Sequence, residues 1–295
     1  MRVAGCALRF LAFSLFLLAP FGEADAGFER RNVGPRSFGA AGVLGEFGDG
    51  PWCYYLNPAH VTDITEAGFF YTPSLNGLQE ISSTGISFRN NSFGIDYTAA
   101  AQTFGFEMYR ETVITLNLSV PLYDFLFIGS NTNINHLFIR DYGTDLSLSF
   151  DAGARMFLSD NFCLGLSATN LTSSSMTLSN DRLPQTFTGG IGYLSSAFNL
   201  GLEYYKEIGF PSAVRVAAEY SPVTFLTVRT GTASGTNSFN AGLSLRFSSF
   251  EVEYGTMIHR VLGTTHSFGI SIRFGGETGS EYESIRHYRA LLQRD

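Results

Sequence analysis

Apolar and polar residues alternate with a period of two along most of the chain from Glu66 onward. Because successive side chains of a β-strand point to opposite faces, this period predicts strands with one apolar and one polar face. Almost no helical periodicity interrupts the alternation. Six rows show it most clearly: Ile114, Leu116, Leu118 and Val120; Leu146, Leu148, Phe150 and Ala152; Phe198, Leu200, Leu202 and Tyr204; Phe239, Ala241, Leu243, Leu245 and Phe247; Phe250, Val252, Tyr254 and Thr256; and Phe268, Ile270, Ile272 and Phe274.

The connections between these strands are of two kinds, which alternate along the chain. Short connections rich in turn-forming residues are predicted at Asn90-Asn91, Pro121-Leu122, Ser159-Asp160, Ser195-Ser196, Ser221-Pro222 and Ser248-Ser249. Looser, more polar connections are predicted at 74–77, near Thr103, and at 140–143, 172–184, 206–211, 232–236 and 259–264. Six short and seven longer connections predict fourteen antiparallel strands, the layout of a bacterial outer-membrane barrel with short periplasmic turns and longer external loops.

A soluble β-sandwich would also alternate, but it would enclose its apolar rows between two sheets. Residues 66–274 leave about 15 residues for each strand and its connection, which accommodates the ~9–11-residue tilted strand that spans a bilayer. An aromatic content of 15% supplies belts at the membrane interfaces. We therefore expect an all-β transmembrane barrel, whose lumen is lined by structural ion pairs among Asp151, Arg155, Glu203, Arg215, Glu219, Arg229, Arg246, Glu251, Glu253 and Arg273.

The two ends of the chain differ from the alternating region. Residues 1–26 are predicted to be a cleaved secretory signal peptide, because Arg2 and Arg9 precede the apolar run Phe10–Phe21 and Ala24-Asp25-Ala26 offers a cleavage site. The predicted location is therefore the bacterial outer membrane. Residues 275–295 are predicted to form a periplasmic tail with a helical stripe of apolar residues, and a frayed extension is the alternative.

Charge and cysteine content narrow the function classes. The net charge of −7 and the single lysine, Lys206, disfavour nucleic acid as a partner, since phosphates require a basic face. Cys53 and Cys163 are either the disulfide of an exported protein or two buried thiols. No Cys/His spacing indicates a metal site, and we expect no cofactor.

Residues 27–65 do not alternate, and we expect them to form an N-terminal hatch that plugs the lumen. Their regularly spaced glycines match neither a phosphate-binding loop nor a dinucleotide fingerprint, and we expect them to permit close packing. The aromatics that follow would pack inside the barrel. Proline then fixes the backbone at a corner that leads to the first strand. The candidate hatch residues are Trp52, Tyr54, Tyr55, Asn57, Pro58 and Ala59.

The stretch GPRSFGAAGVLGEFGDGPWCYYLNPAHVT, residues 34–62, resembles the hatch of FadL-type and PorV/PorQ-type outer-membrane proteins. In these families a Gly/Ala-rich stretch leads through an acidic residue and aromatics to an Asn-Pro-Ala triplet. Further similarity lies at 158–172, 217–231 and 262–274. The FadL resemblance implies fourteen strands and uptake of long-chain fatty acids or other hydrophobic compounds. It also implies a mechanism, in which a hatch held by Asn57, Pro58 and Ala59 is displaced and the solute leaves laterally through the barrel wall. The chain departs from that type at His60, where relatives usually have glycine, and in its short external loops.

The PorV/PorQ resemblance matches the chain length better and implies help in secretion or surface attachment of exported proteins. A non-transporting structural barrel is the third alternative. The expected partners are outer-membrane lipid together with either hydrophobic small molecules or secreted or periplasmic proteins. A continuous apolar tunnel would favour uptake, whereas a sealed, ion-paired interior would favour protein handling.

We do not expect an enzyme. Lipase chemistry requires a serine and a histidine with an amide or acid partner, and the chain contains no G-x-S-x-G motif. Its histidines are scattered, and residues so placed are more often solvated or hydrogen-bonded than catalytic: His60, His136, His259, His266 and His287.

Overall fold

In the computed structural model, fourteen antiparallel strands close into one barrel. The structure describes residues 27–43, 50–62, 64–75, 78, 80–92, 94–177, 182–235 and 238–274. The strands are β1 (Thr65–Ser74), β2 (Ser82–Ser92), β3 (Ile95–Gly105), β4 (Tyr109–Tyr123), β5 (Leu126–Ile139), β6 (Gly143–Phe157), β7 (Phe162–Ala168), β8 (Thr186–Tyr193), β9 (Phe198–Glu207), β10 (Ala213–Val223), β11 (Leu226–Ala233), β12 (Ser238–Phe247), β13 (Phe250–His259) and β14 (Gly263–Phe274). Each strand pairs with its sequence neighbours, and β1 pairs with β14 to complete the ring. The predicted fold class and strand number are confirmed.

The apolar rows face outward. Leu116 and Leu118 are 50% and 47% exposed, while Asn117 between them is 1% exposed and points into the barrel. The same alternation holds on the other strands, so the sandwich alternative is wrong for this chain. A closed barrel satisfies its backbone hydrogen bonds within the sheet, and an apolar exterior of this kind is suited to hydrocarbon. The stacked rings of Tyr123 and Phe125, 5.5 Å apart, lie at one rim, where interfacial aromatic belts occur.

The up-and-down topology places the connections predicted as short turns at one end of the barrel, here called the turn end, and the connections predicted as looser at the other, the loop end. Three of the predicted short turns, at 159–160, 195–196 and 248–249, lie between strands as expected. The other three were placed about three residues too early, because β2, β4 and β10 continue through them. Pro121 and Pro222 are accommodated within strands because the strand pairing is irregular at both positions, where a missing N–H is tolerated.

Residues 27–43 and 50–62, here called the lumen segment, run through the inside of the ring. They contain α1 (Pro35–Gly39) and a 3₁₀ helix (Cys53–Tyr55). At the loop end the backbone N–H of Phe28 donates to Glu111 at the start of β4 (3.0 Å). At the turn end the N–H of Thr62 donates to Asp96 at the start of β3 (3.0 Å). The lumen segment therefore enters the described structure at one mouth of the barrel and leaves at the other, just before β1.

Neither helix of the lumen segment is long, and within the described residues no helix is long and apolar enough to span a membrane. The predicted signal peptide, 1–26, and the predicted tail, 275–295, both lie outside the described residues. The predicted barrel boundary at residue 66 differs by one residue from the start of β1 at Thr65.

Candidate functional site

Helix α1 is tied to the barrel wall by a buried, bidentate ion pair. The Arg36 guanidinium donates from Nε to Oε1 of Glu219 (3.0 Å) and from Nη2 to Oε2 (2.9 Å). Glu219 also accepts a hydrogen bond from Nε of Arg229 on β11 (2.6 Å). Paired guanidinium and carboxylate groups in this fork geometry hold both position and orientation. Arg36 is thus a fixed attachment point for the lumen segment, which the sequence patterns did not identify.

The Arg36 pair is one part of a larger set of charges near the turn end. Arg273 lies 3.3 Å from Glu251 and 3.7 Å from Glu66, and so bridges the seam between β14 and β1. Buried charges are tolerated when each has a close partner of opposite sign. Five arginines and five acids make up this turn-end network, whose formal charges balance: Arg36, Arg89, Arg229, Arg246 and Arg273 with Glu66, Asp96, Glu219, Glu251 and Glu253.

The Asn57-Pro58-Ala59 corner is held against β4 and β6 by hydrogen bonds. The side chain of Asn57 accepts from the N–H of Ala59 (3.0 Å) and donates to the carbonyl oxygen of Ala154 (3.2 Å). The carbonyl oxygen of Pro58 accepts from Asn117 of β4 (2.9 Å). Asn57 therefore both shapes the turn and fastens it, which explains why an amide side chain precedes the proline.

Glycines on the inner wall allow the backbone of the lumen segment to lie directly on the strands. Gly129 and Gly153 face each other across β5 and β6. A Cβ on Gly129 would overlap the Pro58 carbonyl oxygen, and a Cβ on Gly153 would overlap Oδ1 of Asn57. Gly255 has the same relation to Pro35. Glycine inside a strand pattern signals close backbone approach, so Gly129, Gly153 and Gly255 are the sequence features that indicate these contacts.

The predicted hatch aromatics lie inside the barrel. Trp52 packs edge-on against Phe70 of β1, with ring centroids 4.8 Å apart, and both are buried. Tyr54 is buried beside them, and Tyr55 is half-buried beneath the Arg30 guanidinium, 4.4 Å from its ring centroid. Such rings contribute large apolar contact areas. The aromatics fill the lumen between the turn-end network and the loop end.

All ten predicted lumen residues face inward, seven of them buried and Arg215, Arg246 and Arg273 half-buried. Most lie in ion pairs, including Arg215 with Glu203 (3.4 Å). Asp151 accepts hydrogen bonds from the Asn133 amide and the Asn170 N–H, both 2.9 Å. Arg155 contacts the buried His60.

The side chain of His60 contacts Arg155 on the barrel wall. Nη1 of Arg155 lies 3.0 Å from Nδ1 of His60. A guanidinium has only donors, so Nδ1 is the acceptor in this contact. His60 is therefore a hydrogen-bond partner for the wall at the position where the sequence departs from the FadL type.

Two further histidines make local hydrogen bonds. His266 contacts the Tyr254 hydroxyl (2.7 Å), and Nδ1 of His259 accepts from the N–H groups of Val261 and Leu262 (3.1 and 3.0 Å). His136 is half-buried on β5, and His287 lies outside the described residues. Of the two readings of the cysteines, the structure supports buried thiols for both Cys53 and Cys163.

A cavity of about 110 Å³, here called the mouth cavity, lies at the loop end between the lumen segment and strands β2–β6. Its strand side carries amides and hydroxyls, among them Gln102, Asn135 and Ser149. The connection between β7 and β8 lies across its edge, where Leu183 packs with Leu137. A second cavity, of about 320 Å³, adjoins it at the loop end and shares Glu29, Arg31, Phe104 and Glu111 with it. The described lumen therefore consists of cavities at the loop end, a filled middle and an ion-paired turn end, rather than one apolar tunnel.

No family model and no curated protein matches the sequence. The fold, however, matches solved channel structures. The CymD monoaromatic hydrocarbon channel superposes with a TM-score of 0.62 at 12% identity, covering 85% of this chain and 100% of that chain. The Ralstonia pickettii toluene transporter TbuX gives 0.62 at 13% identity, with 84% and 100% covered. A Pseudomonas aeruginosa FadL homologue gives 0.56 at 12%, with 84% and 99% covered. At these identities the likeness is one of fold, and at that level the FadL-type prediction is confirmed.

Proposed function

We propose that the chain is a channel of the bacterial outer membrane that admits small hydrophobic compounds and is closed at rest by its lumen segment. The outward apolar rows suit a bilayer, and the predicted signal peptide would deliver the chain to it. The fold likeness to channels named for monoaromatic hydrocarbons and toluene supports the solute class.

The observation that carries this proposal is how the lumen segment is held. Its described contacts with the wall include ion pairs, apolar packing and hydrogen bonds in which at least one partner is a side chain, such as Asn131 to the Tyr54 carbonyl oxygen (3.0 Å) and Asn240 to that of Phe38. The strand ladder runs round the ring independently of these contacts. The lumen segment can therefore move without opening the barrel wall, with Asn57, Pro58 and Ala59 as its fastening and Trp52, Tyr54 and Tyr55 as its filling.

The size of the mouth cavity bears on the solute. An apolar cavity of ~150 Å³ holds one benzene ring, so the mouth cavity, at about 110 Å³, admits one ring only when its lining shifts locally. A long-chain fatty acid exceeds that room and requires displacement of the lumen segment along its length. We therefore favour compounds of about one ring over long-chain fatty acids.

A role in protein secretion or surface attachment is the second candidate. The filled lumen and the turn-end network, in which Glu219 and Arg229 are both buried, favour it over a permanently open pore. In that case the barrel would act through its outer surfaces, and no solute would pass. A purely structural barrel predicts the same lack of solute flux.

Uptake by intact cells tests the proposal. A Gram-negative host with and without the barrel is given radiolabelled toluene, because a lipopolysaccharide leaflet slows its passive entry. Barrel-dependent uptake is expected, and a variant with a loosened lumen segment, Arg36→Met, should increase it. Equal uptake with and without the barrel, in both wild type and Arg36→Met, would exclude the channel and leave protein handling or a structural role.

A further inference from the structure

The outward face of the described strands carries almost no charge, and the exceptions lie at one end. Among the described strand residues, the side chains that point outward include two basic groups with a full charge, Arg110 on β4 and Lys206 on β9, and no carboxylate. Arg110 is the second residue of β4 and Lys206 is the last but one of β9, so both lie at the loop end. The two rims of the barrel therefore differ in charge on the face that contacts lipid.

The two basic side chains differ in whether the protein itself supplies a partner. Lys206 donates from Nζ to the carbonyl oxygen of Phe210 (2.5 Å). The Arg110 side chain is exposed, and its guanidinium has no hydrogen bond or ion pair with any described residue. An arginine on a lipid-facing wall is costly at the bilayer midplane but tolerated near the interface, where a headgroup can supply the partner.

Arg110 lies at the start of a short polar strip that gives way to apolar residues along β4 and β5. The next outward pair along the two strands is Thr112 with His136. The pair after that, Ile114 with Ile134, is apolar and exposed. Arg110 and Ile114 are about 13 Å apart along the strand, at ~3.3 Å per residue. Donors for an anion thus lie at the rim, directly above a surface suited to hydrocarbon chains.

From this arrangement we propose that the outward face of β4 and β5 at the loop end, here called the rim site, binds the phosphate of an outer-leaflet lipid through Arg110. A guanidinium presents a fork of donors that matches phosphate oxygens, and the charges strengthen the bonds. The hydroxyl of Thr112 and the imidazole of His136 can add donors, while Ile114 and Ile134 contact the acyl chains. Because this face is turned to lipid, the anion comes from a headgroup rather than from a soluble partner.

The inference rests on the proposed outer-membrane location, with the loop end outside, and not on solute passing through the barrel. The lipopolysaccharide of that leaflet carries phosphates on its lipid A, at the depth where the acyl chains begin. A side chain near the end of a membrane strand can reach this level while its stem stays on the apolar wall. The charge and position of Arg110 therefore match this class of lipid.

Diphosphoryl lipid A and the same lipid stripped of both phosphates are the matched probes, because they share every acyl chain. The purified full-length barrel is mixed with each lipid in detergent, with EDTA present to remove bridging cations. Native mass spectrometry counts the lipids bound to each barrel across a concentration series. We expect the wild type to bind diphosphoryl lipid A about five- to tenfold more tightly than the stripped lipid, the effect of roughly one charge-assisted contact.

Three variants locate the effect. Arg110→Gln removes the charge but keeps a polar side chain, and should bring the two affinities within about twofold of each other. Arg110→Lys keeps the charge and should retain most of the preference. Arg260→Gln is the matched control, because Arg260 is also exposed at the loop end but lies in the connection between β13 and β14, away from β4 and β5 around the ring. It should leave the preference unchanged, and heat-modifiable electrophoresis confirms that each variant is folded.

The outcomes separate the rim site from the channel. Equal binding of the two lipids by the wild type, or a preference that Arg110→Gln leaves intact, overturns the inference. An equal loss in Arg110→Gln and Arg260→Gln would show a response to overall charge and also overturns it. Barrel-dependent uptake of toluene without a preference for the phosphorylated lipid would remove the rim site and leave the channel, and the reverse result would remove the channel alone.

Discussion

Replacing Arg36 tests whether the lumen segment is held chiefly by its buried ion pair. The Arg36 and Glu219 side chains are 10% and 2% exposed, so solvent screens their interaction little. Removing one partner of a buried pair costs about 3–5 kcal/mol when the other charge is left alone. Glu219 keeps Arg229 at 2.6 Å and its charge is not left alone, so we expect a cost below that range, about 2–3 kcal/mol, for Arg36→Met, which preserves the side-chain stem. The docked state should then be weakened roughly 30- to 150-fold relative to the released state.

The only tryptophan provides the assay. Trp52 is buried in the lumen next to Gly34, two residues before Arg36, so release of α1 should admit a quencher to the indole ring. Acrylamide quenching in nanodiscs should rise strongly in Arg36→Met. Arg140→Met is the control, because Arg140 pairs with Glu107 at the exposed rim, where an ion pair contributes little. Equal quenching in Arg36→Met and wild type, with the barrel intact, would refute the assignment of Arg36 as the anchor.

Three further predictions concern the wall and the chain ends. Gly153→Val should displace the Asn57-Pro58 corner while the strand ladder persists. The expected result is protease cleavage within 50–62 in a barrel that keeps its heat-modifiable mobility. Protection equal to that of the wild type would contradict the close approach at β6. Leu116→Arg, on the outward face, should destabilise the barrel in lipid by about 2–4 kcal/mol if it lies near the bilayer midplane. Urea unfolding measures the loss of stability. Tyr142→Arg, in an exposed connection, is the control and should have no comparable effect. Removal of residues 275–295 should leave insertion intact because Phe274 already pairs with Thr65, and failure to insert would show that the tail is needed.

The strands were predictable because their signal is local. A residue such as Leu116 is apolar because it faces outward, and its neighbour Asn117 is polar because it faces inward, whatever the partner strands are. Turn positions were less predictable. Pro121 reads as a turn residue from sequence alone, yet irregular pairing with β5 lets the strand continue past it.

The contacts of the lumen were beyond local patterns. Glu66 and Arg273 meet only because the first and last strands pair, and Arg36 meets Glu219 across 183 residues of chain. The sequence placed Arg273 and Glu219 on the inner face without indicating either partner. The contacts of the wall amides Asn117 and Asn131 with the lumen segment could not be predicted either. In the sequence, an asparagine that binds the lumen segment follows the same alternation as any other inward polar residue. Gly129 was accessible in principle, since a glycine within a strand calls for an explanation.

The course of the lumen segment has a consequence for how the protein is assembled. The lumen segment ends at Thr62, just before β1. β1 is also the strand with which β14 must pair to close the barrel. The first residues of the described chain are therefore wrapped by the last ones. Pairing between strands so distant in sequence carries a large loop-closure entropy and is expected late in folding. We therefore expect closure of the seam between β1 and β14 to be coupled to enclosure of the lumen segment during assembly.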